Sequence, residues 1–356
     1  MSATSFYNDQ ARTPRRFSRN RLLYLIVSLY ILAVSAIGLM VGQPLFTQTM
    51  TGLLTMGLTL APTFLLVLYI WHFFNLAVII RPERPIQRFF GDMRAGVLDG
   101  DKILNGTLAL IAMVFFFSTF NFAKDKITYF QPFVWDSYFA DLDRILHFGR
   151  APHEWLYPLF GTPLATTALN AAYHFWFFLM YFLVFMACYD RRSRAQSTAF
   201  LFAVVICFVF GGNILATLLS SAGPVYYQEM GFGTDYVPLM DMLYRFNEIS
   251  PVWALHVQEM LLEAHHMGGA IKGISAMPSM HVATTVVMTC YLFTWRRWAG
   301  WLMVGFTTII MIGSVHLAWH YAVDGYLAIP VALVSWWLGQ KLTRLVTGTP
   351  EPGETA

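Results

Sequence analysis

Residues 278–281 read PSMH and residues 314–325 read SVHLAWHYAVDG, and two apolar runs lie between them, at about 279–295 and 298–316, divided by Arg296 and Arg297. A run of roughly 18 to 20 apolar residues is enough for one membrane crossing. Two crossings return the chain to the face it left. The spacing therefore predicts that His281 meets His320 and Asp324 at one surface, far apart as they are in sequence.

The rest of the chain has the same character. Of 356 residues, 57% are hydrophobic and 12% charged, with 31 Phe and 11 Trp, where soluble domains carry about a quarter charged residues. No soluble core needs this much apolar sequence, and the expected fold is an all-α, polytopic membrane helix bundle whose partners are lipids rather than nucleic acid. Cys188, Cys207 and Cys290 all fall in or beside apolar runs, so neither a disulfide framework nor a thiolate metal site is indicated.

Apolar runs predict eight spans, at about 22–41, 52–80, 103–122, 165–188, 197–220, 279–295, 298–316 and 320–340. Basic residues in short loops stay on the cytoplasmic side. Alternate segments hold 17 of the 23 Lys and Arg, which places both termini in the cytoplasm and PSMH and HYAVD on the outer face. Residues 1–21 form a basic cytoplasmic N-terminus leading into a retained anchor. Residues 22–102 add two spans and a basic loop, 103–344 form a six-span core, and 345–356 read as a disordered tail.

Two outer loops are long. Within 124–164, WDSYFADLDRILHFG predicts an amphipathic interfacial helix carrying Trp135, Phe139, Leu142 and Leu146 on its apolar side, with Asp141, Asp143 and Arg144 on a solvated face. Within 221–277, PVWALHVQEMLLEAHH predicts a second amphipathic segment, placed to cap an outer site or steer lipid.

Asp324 is the only acid inside any predicted span, and an ionisable group at that depth calls for a partner. In a helix, His320 and Asp324 at i and i+4 share a face, so the carboxylate can hold one imidazole nitrogen and leave the other as a nucleophile. Attack on phosphorus would give a phosphohistidine, with a second histidine moving the leaving-group and acceptor protons. His281 suits that second role, and its place near a helix start offers backbone N–H groups to a phosphate. No cofactor or metal is required by this chemistry.

PSMH at 278–281 and HYAVD at 320–324 together resemble the lipid phosphatase and phosphotransferase superfamily that includes type-2 phosphatidic acid phosphatases, sphingomyelin synthases and inositol phosphorylceramide synthases. The resemblance implies His320 as nucleophile, Asp324 as its orienting acid, His281 as general acid and base, and Ser279 as a phosphate contact. Departures from the phosphatases matter too: Met280 stands where they carry Gly, Ser314 where they carry Arg, and their upstream Lys and Arg-Pro have no outer-face counterpart. Met280 and the HY before Asp324 are closer to the inositol phosphorylceramide synthase branch. It implies transfer of a phosphate-bearing headgroup from a phospholipid donor to a lipid or glycan hydroxyl, with lipid phosphate or polyprenyl pyrophosphate hydrolysis as the alternative.

Substrate contacts are expected from Arg245 and Lys272, the only basic residues of the longer outer loop, and from Tyr321, His174 and His316. His316 also reads as a polar residue at the water boundary, Tyr173 and His174 as interior residues near a headgroup cavity, and Asn213 as helix-packing glue. A different class of function stays open: His281, His316, His320 and Asp324 could ligate a metal, and any eight-span chain could be a transporter. An outer-face site without paired cysteines or outer glycosylation sequons is expected in a bacterial inner membrane, facing the periplasm.

Overall fold

A computed structural model describes residues 20–45, 48–98, 100–190, 194–267 and 273–347, and every regular element among them is helical. In chain order the longer ones are α1 (Arg21–Met40), α2 (Gln48–Phe74, continued by π-helical turns over Asn75–Ile80), α3 (Pro85–Leu98) and α4 (Gly100–Asp125). Then come α5 (Asp136–Leu146), α6 (Pro152–Phe160), α7 (Pro163–Tyr189) and α8 (Arg194–Ile206, continued by a π-helix over Cys207–Leu215). The last five are α9 (Val237–Ile249), α10 (Trp253–Met267), α11 (Met280–Trp295), α12 (Arg297–His316) and α13 (Ala322–Thr347). The basic N-terminal segment, Arg191, Arg192, Lys272 and the end of the tail lie outside the described residues.

Seven of the eight expected spans are long and apolar enough to cross a membrane. The eighth, α11, has 16 residues, about 24 Å of helix against a hydrocarbon core of about 30 Å. Its short length suits its place: residues 282–288 are buried on every side, and it packs against α8, α12 and α13. Arg296 alone turns the chain from α11 into α12, and Thr289 and Thr307 hydroxyls, 3.1 Å apart, fix their antiparallel register.

Side chains on the bundle's outside are apolar, among them Leu29, Leu32, Ile70, Trp298, Leu302 and Trp337. A soluble protein does not expose such a belt; it faces lipid. Inside, α13 packs most extensively on α8. Gly339 permits that approach, since a Cβ there would stand 2.5 Å from the Ala199 carbonyl oxygen. Asn213, as expected, joins helices: the Tyr30 hydroxyl of α1 donates to its side-chain oxygen.

The helix α5 exists where expected, and Phe139 and Leu142 pack inward as expected, but two acids join them. Asp136, Phe139, Ala140 and Asp143 form the buried stripe, whereas Tyr138, Ile145 and Leu146 are exposed and Phe148 just beyond is 90% exposed. Asp143 therefore does not belong to a solvated face; it is 1% exposed. Burying two carboxylates is tolerable only if donors meet them, and the chain supplies these donors from distant backbone. Asp141 and Arg144 do stay near solvent, with Arg144 bridging Asp141 and Asp235.

Candidate functional site

The turn between α12 and α13 carries the site. His320 and Tyr321 precede the helix rather than forming its first face, so the expected i,i+4 helical pairing is replaced by a turn-to-helix contact. His320 Nδ1 lies 3.1 Å from Asp324 Oδ2, and the same oxygen accepts from the Tyr321 backbone N–H at 3.1 Å. The Trp319 and His320 N–H groups both donate to the Ser314 carbonyl, which closes the turn. Gln258 of α10 donates its side-chain amide to the Leu317 carbonyl at 2.9 Å.

The two carboxylates of α5 hold this turn from behind. Asp143 accepts from the N–H groups of Ala322 and Val323 at 2.7 and 2.9 Å, capping α13 at its positive end. Asp136 accepts from Ala222, Gly223 and the Tyr321 hydroxyl, at 2.9, 2.8 and 2.9 Å. Burial pushes the Asp143 carboxyl up to about 6, helped by the Asp324 carboxylate and opposed by its two backbone donors and His147. Burial also raises Asp136, against its donors. Gly223 has φ +97 and a Cβ would lie 2.8 Å from the Trp319 carbonyl, so only glycine lets the 220–223 strand of loop lie on the turn.

The PSMH segment reaches the same place from the other side. Ser279 N–H donates to the Asp324 carbonyl at 3.1 Å, while Ala276 and Met277 N–H groups donate to Ser221. Ser279 caps α11, its hydroxyl accepting from Val282 N–H at 3.4 Å. Ser279, which the resemblance implies as a phosphate contact, is fully buried. At the second residue of the helix, the His281 ring stacks on Tyr173 at 4.2 Å and lies 4.0 Å from Trp176, ring centre to ring centre. The His281 and His320 ring centres are 5.9 Å apart.

Both imidazoles line one cavity of about 460 Å³. Its polar lining comes from Asn121, Lys124, His174, Ser275 and the two histidines, with Phe117, Phe120, Trp176, Phe177 and Phe208 forming apolar walls. Val257 and Leu261 place the amphipathic α10 against the same cavity. Tyr173 and His174 line the cavity, and His174 Nδ1 is 2.9 Å from the Asn170 carbonyl.

Other expected contacts fall elsewhere. His316 is fully buried, not at a water boundary, with Nε2 2.8 Å from the Thr166 hydroxyl between α12 and α7. Tyr321 spends its hydroxyl on Asp136. Arg245 is exposed on α9 and does not line the cavity. Among the described residues, no group of three or more His, Cys, Asp or Glu is gathered to hold a metal ion. Lys124, Trp176, Asp136 and Asp143 were missed. The acids' signal was present in the sequence, since positions 136 and 143 are i and i+7 on one helical stripe with Phe139 and Ala140.

A family model described as the PAP2 superfamily matches residues 137–338, more than half of the chain. No curated protein and no solved structure gives a significant match.

Proposed function

We propose that this chain, which belongs to the PAP2 superfamily and is therefore a membrane lipid enzyme of phosphatase or phosphotransferase type, transfers a phosphate-bearing headgroup through a phosphohistidine at His320. The observation that carries the proposal is the opening of His281 and His320 into one largely apolar cavity, with Asp324 behind His320.

In this reading Asp324 accepts from Nδ1, which leaves Nε2 its lone pair. The Ala276 carbonyl is a second acceptor beside this ring. In the first step Nε2 attacks phosphorus, a P–N bond forms, and the P–O bond to the donor alcohol breaks as protonated His281 gives that oxygen its proton. In the second, neutral His281 takes the proton of an acceptor hydroxyl, whose oxygen attacks phosphorus and releases Nε2. Proton and phosphoryl group are both conserved over the cycle.

Transfer is favoured over hydrolysis by the cavity's aromatic walls and by α10 lying against it, which together keep water scarce around the phosphohistidine. Met280 and the HY before Asp324 favour an inositol phosphorylceramide synthase-like acceptor, a lipid or glycan hydroxyl. The basic-residue alternation favours a periplasmic site in a bacterial inner membrane. Residues 103–344 would make up the catalytic core, on which the first two spans are an addition.

The test is a panel of labelled glycerophospholipids and polyprenyl phosphates incubated with purified protein in bilayers, following headgroup transfer, inorganic phosphate and acid-labile phosphoenzyme. Transfer to a second lipid, with label trapped on wild type but not on His320→Ala, is expected. Release of inorganic phosphate alone would make the enzyme a phosphatase, and activity surviving His320→Ala would overturn the mechanism.

A further inference from the structure

The helix α10 serves two hollows. Val257 and Leu261 line the histidine cavity, whereas Gln258 and Glu259 line a smaller hollow of about 160 Å³, bounded also by α9 and by the loop at 224–229. Tyr226 lines both, and its hydroxyl donates to the Gln258 carbonyl at 3.0 Å. The charges of the smaller hollow are all of one sign. Glu229, Asp241 and Glu259 come from the loop, α9 and α10 in turn, and no basic side chain is in the lining. Arg245, one turn beyond Asp241, is exposed and outside it. The Tyr244 hydroxyl donates to Glu259 at 3.2 Å. An acidic cluster alone selects nothing beyond a positive charge, but Gln258 adds a directional group. It is 2% exposed, and its Nε2 donates to the Leu317 carbonyl at 2.9 Å, which fixes the orientation of the amide. Its Oε1 then has no donor among the described residues. A buried acceptor in that state calls for a partner.

We propose that this smaller hollow binds a primary ammonium group, carried by a free amine or by an ethanolamine lipid headgroup. Charge and hydrogen bonding select it together. Three carboxylates favour a cation, and an ammonium brings three N–H donors, one of which the Gln258 amide oxygen can accept. A quaternary ammonium is drawn by the same carboxylates and by the tyrosine rings, but it has no N–H to give. A metal ion fits less well, since no three acids or histidines among the described residues are gathered to hold one. The site does not depend on the phosphotransfer reading. It does touch the same turn, because the amide that would hold the ligand also holds the Leu317 carbonyl, three residues before His320.

The test titrates ethanolamine and choline, at fixed ionic strength, into the full chain in phosphatidylcholine nanodiscs and reads binding by saturation-transfer difference NMR. Wild type is compared with the double variant Glu229→Gln/Asp241→Asn, whose two sites are exposed, and with Gln258→Leu; thermal midpoints are recorded for all three. Wild type is expected to bind ethanolamine at least about tenfold more tightly than choline, as a hydrogen bond to a charged group provides. The double variant should weaken both amines by about three- to tenfold with an unchanged midpoint, the size expected of two exposed ion pairs. Gln258→Leu should bring ethanolamine down to the level of choline, a ratio taken within one protein and so independent of any loss of stability. Nanodiscs of phosphatidylethanolamine separate the two sources. Loss of ethanolamine binding in them assigns the site to the lipid headgroup, and unchanged binding assigns it to a free amine. Equal binding of the two amines by wild type, ethanolamine binding unchanged in the double variant, no ethanolamine binding in phosphatidylcholine nanodiscs, or tighter binding of magnesium than of ethanolamine would each overturn the proposal.

Discussion

Asp143 Oδ1 and the backbone nitrogen of Val323 lie 2.9 Å apart across 180 residues of sequence, and the other carboxylate oxygen takes the N–H of Ala322. A short helix outside the core of spans thereby sets where α13 begins. Since His320 sits two residues before that start and Asp324 two residues after Ala322, the same bonds place both residues.

Replacing Asp143 with Ala should uncap α13 and loosen the turn. A lost N-terminal cap costs about 0.5–2 kcal/mol, and displacing a reacting group by about 1 Å costs up to about 10²-fold in rate. The expected outcome is a lower thermal midpoint together with a fall in kcat that exceeds any change in KM. An unchanged kcat would separate the cap from catalysis.

Stability should have two opposed pH slopes on the acid side. Burial raises Asp143 to about 6, so the folded protein holds that proton more tightly than the unfolded chain, whose carboxyl titrates near about 3.9. Its contribution is fully present below about 4 and is lost as pH rises through about 6. His153, against Tyr157 and Tyr236, is lowered to about 4 by burial, with His316 and Arg144 adding to the shift. Its contribution is present above about 6.5 and is lost as pH falls through about 4. Thermal midpoints recorded from pH 4 to 7 should lose the first slope in Asp143→Asn and the second in His153→Phe; identical profiles in all three proteins would contradict both assignments.

The two proton-handling roles can be told apart with leaving groups. His281→Ala should cost about 10²–10⁴-fold on alkyl lipid phosphates but much less on p-nitrophenyl phosphate, whose leaving group needs no proton. Asp324→Asn should be slow on both, because an amide donating to Nδ1 moves the imidazole hydrogen to Nε2 and removes the lone pair. Equal losses on both substrates for His281→Ala would exclude it as the acid.

Gly339→Val tests the packing of α13 on α8. The nearest atoms to its Cβ are backbone, Ala199 O at 2.5 Å and Ala203 N at 2.9 Å, so no side chain can rotate away. Overpacking of this kind costs about 1–3 kcal/mol. A midpoint within experimental error of wild type would mean that the helices separate freely there.

The span pattern, the all-helical class and the pairing of PSMH with HYAVD were legible in the sequence because hydropathy and spacing are local properties of the chain. So was His320 beside Asp324, four positions apart. What the local pattern could not reveal was the direction in which the α5 acids point. An acidic residue in an amphipathic segment reads as solvated unless its donors are known, and for Asp136 and Asp143 those donors are backbone N–H groups about ninety and 180 residues away. The choice among cations was equally hidden. Lys124 of α4 lines the cavity, and the exposed Arg245 of α9 does not. The sequence by itself determined that this is a membrane helix bundle with two histidines and an acid at one end. Tertiary structure decided which groups surround them, because burial and hydrogen bonding depend on contacts made between segments that sequence distance does not relate.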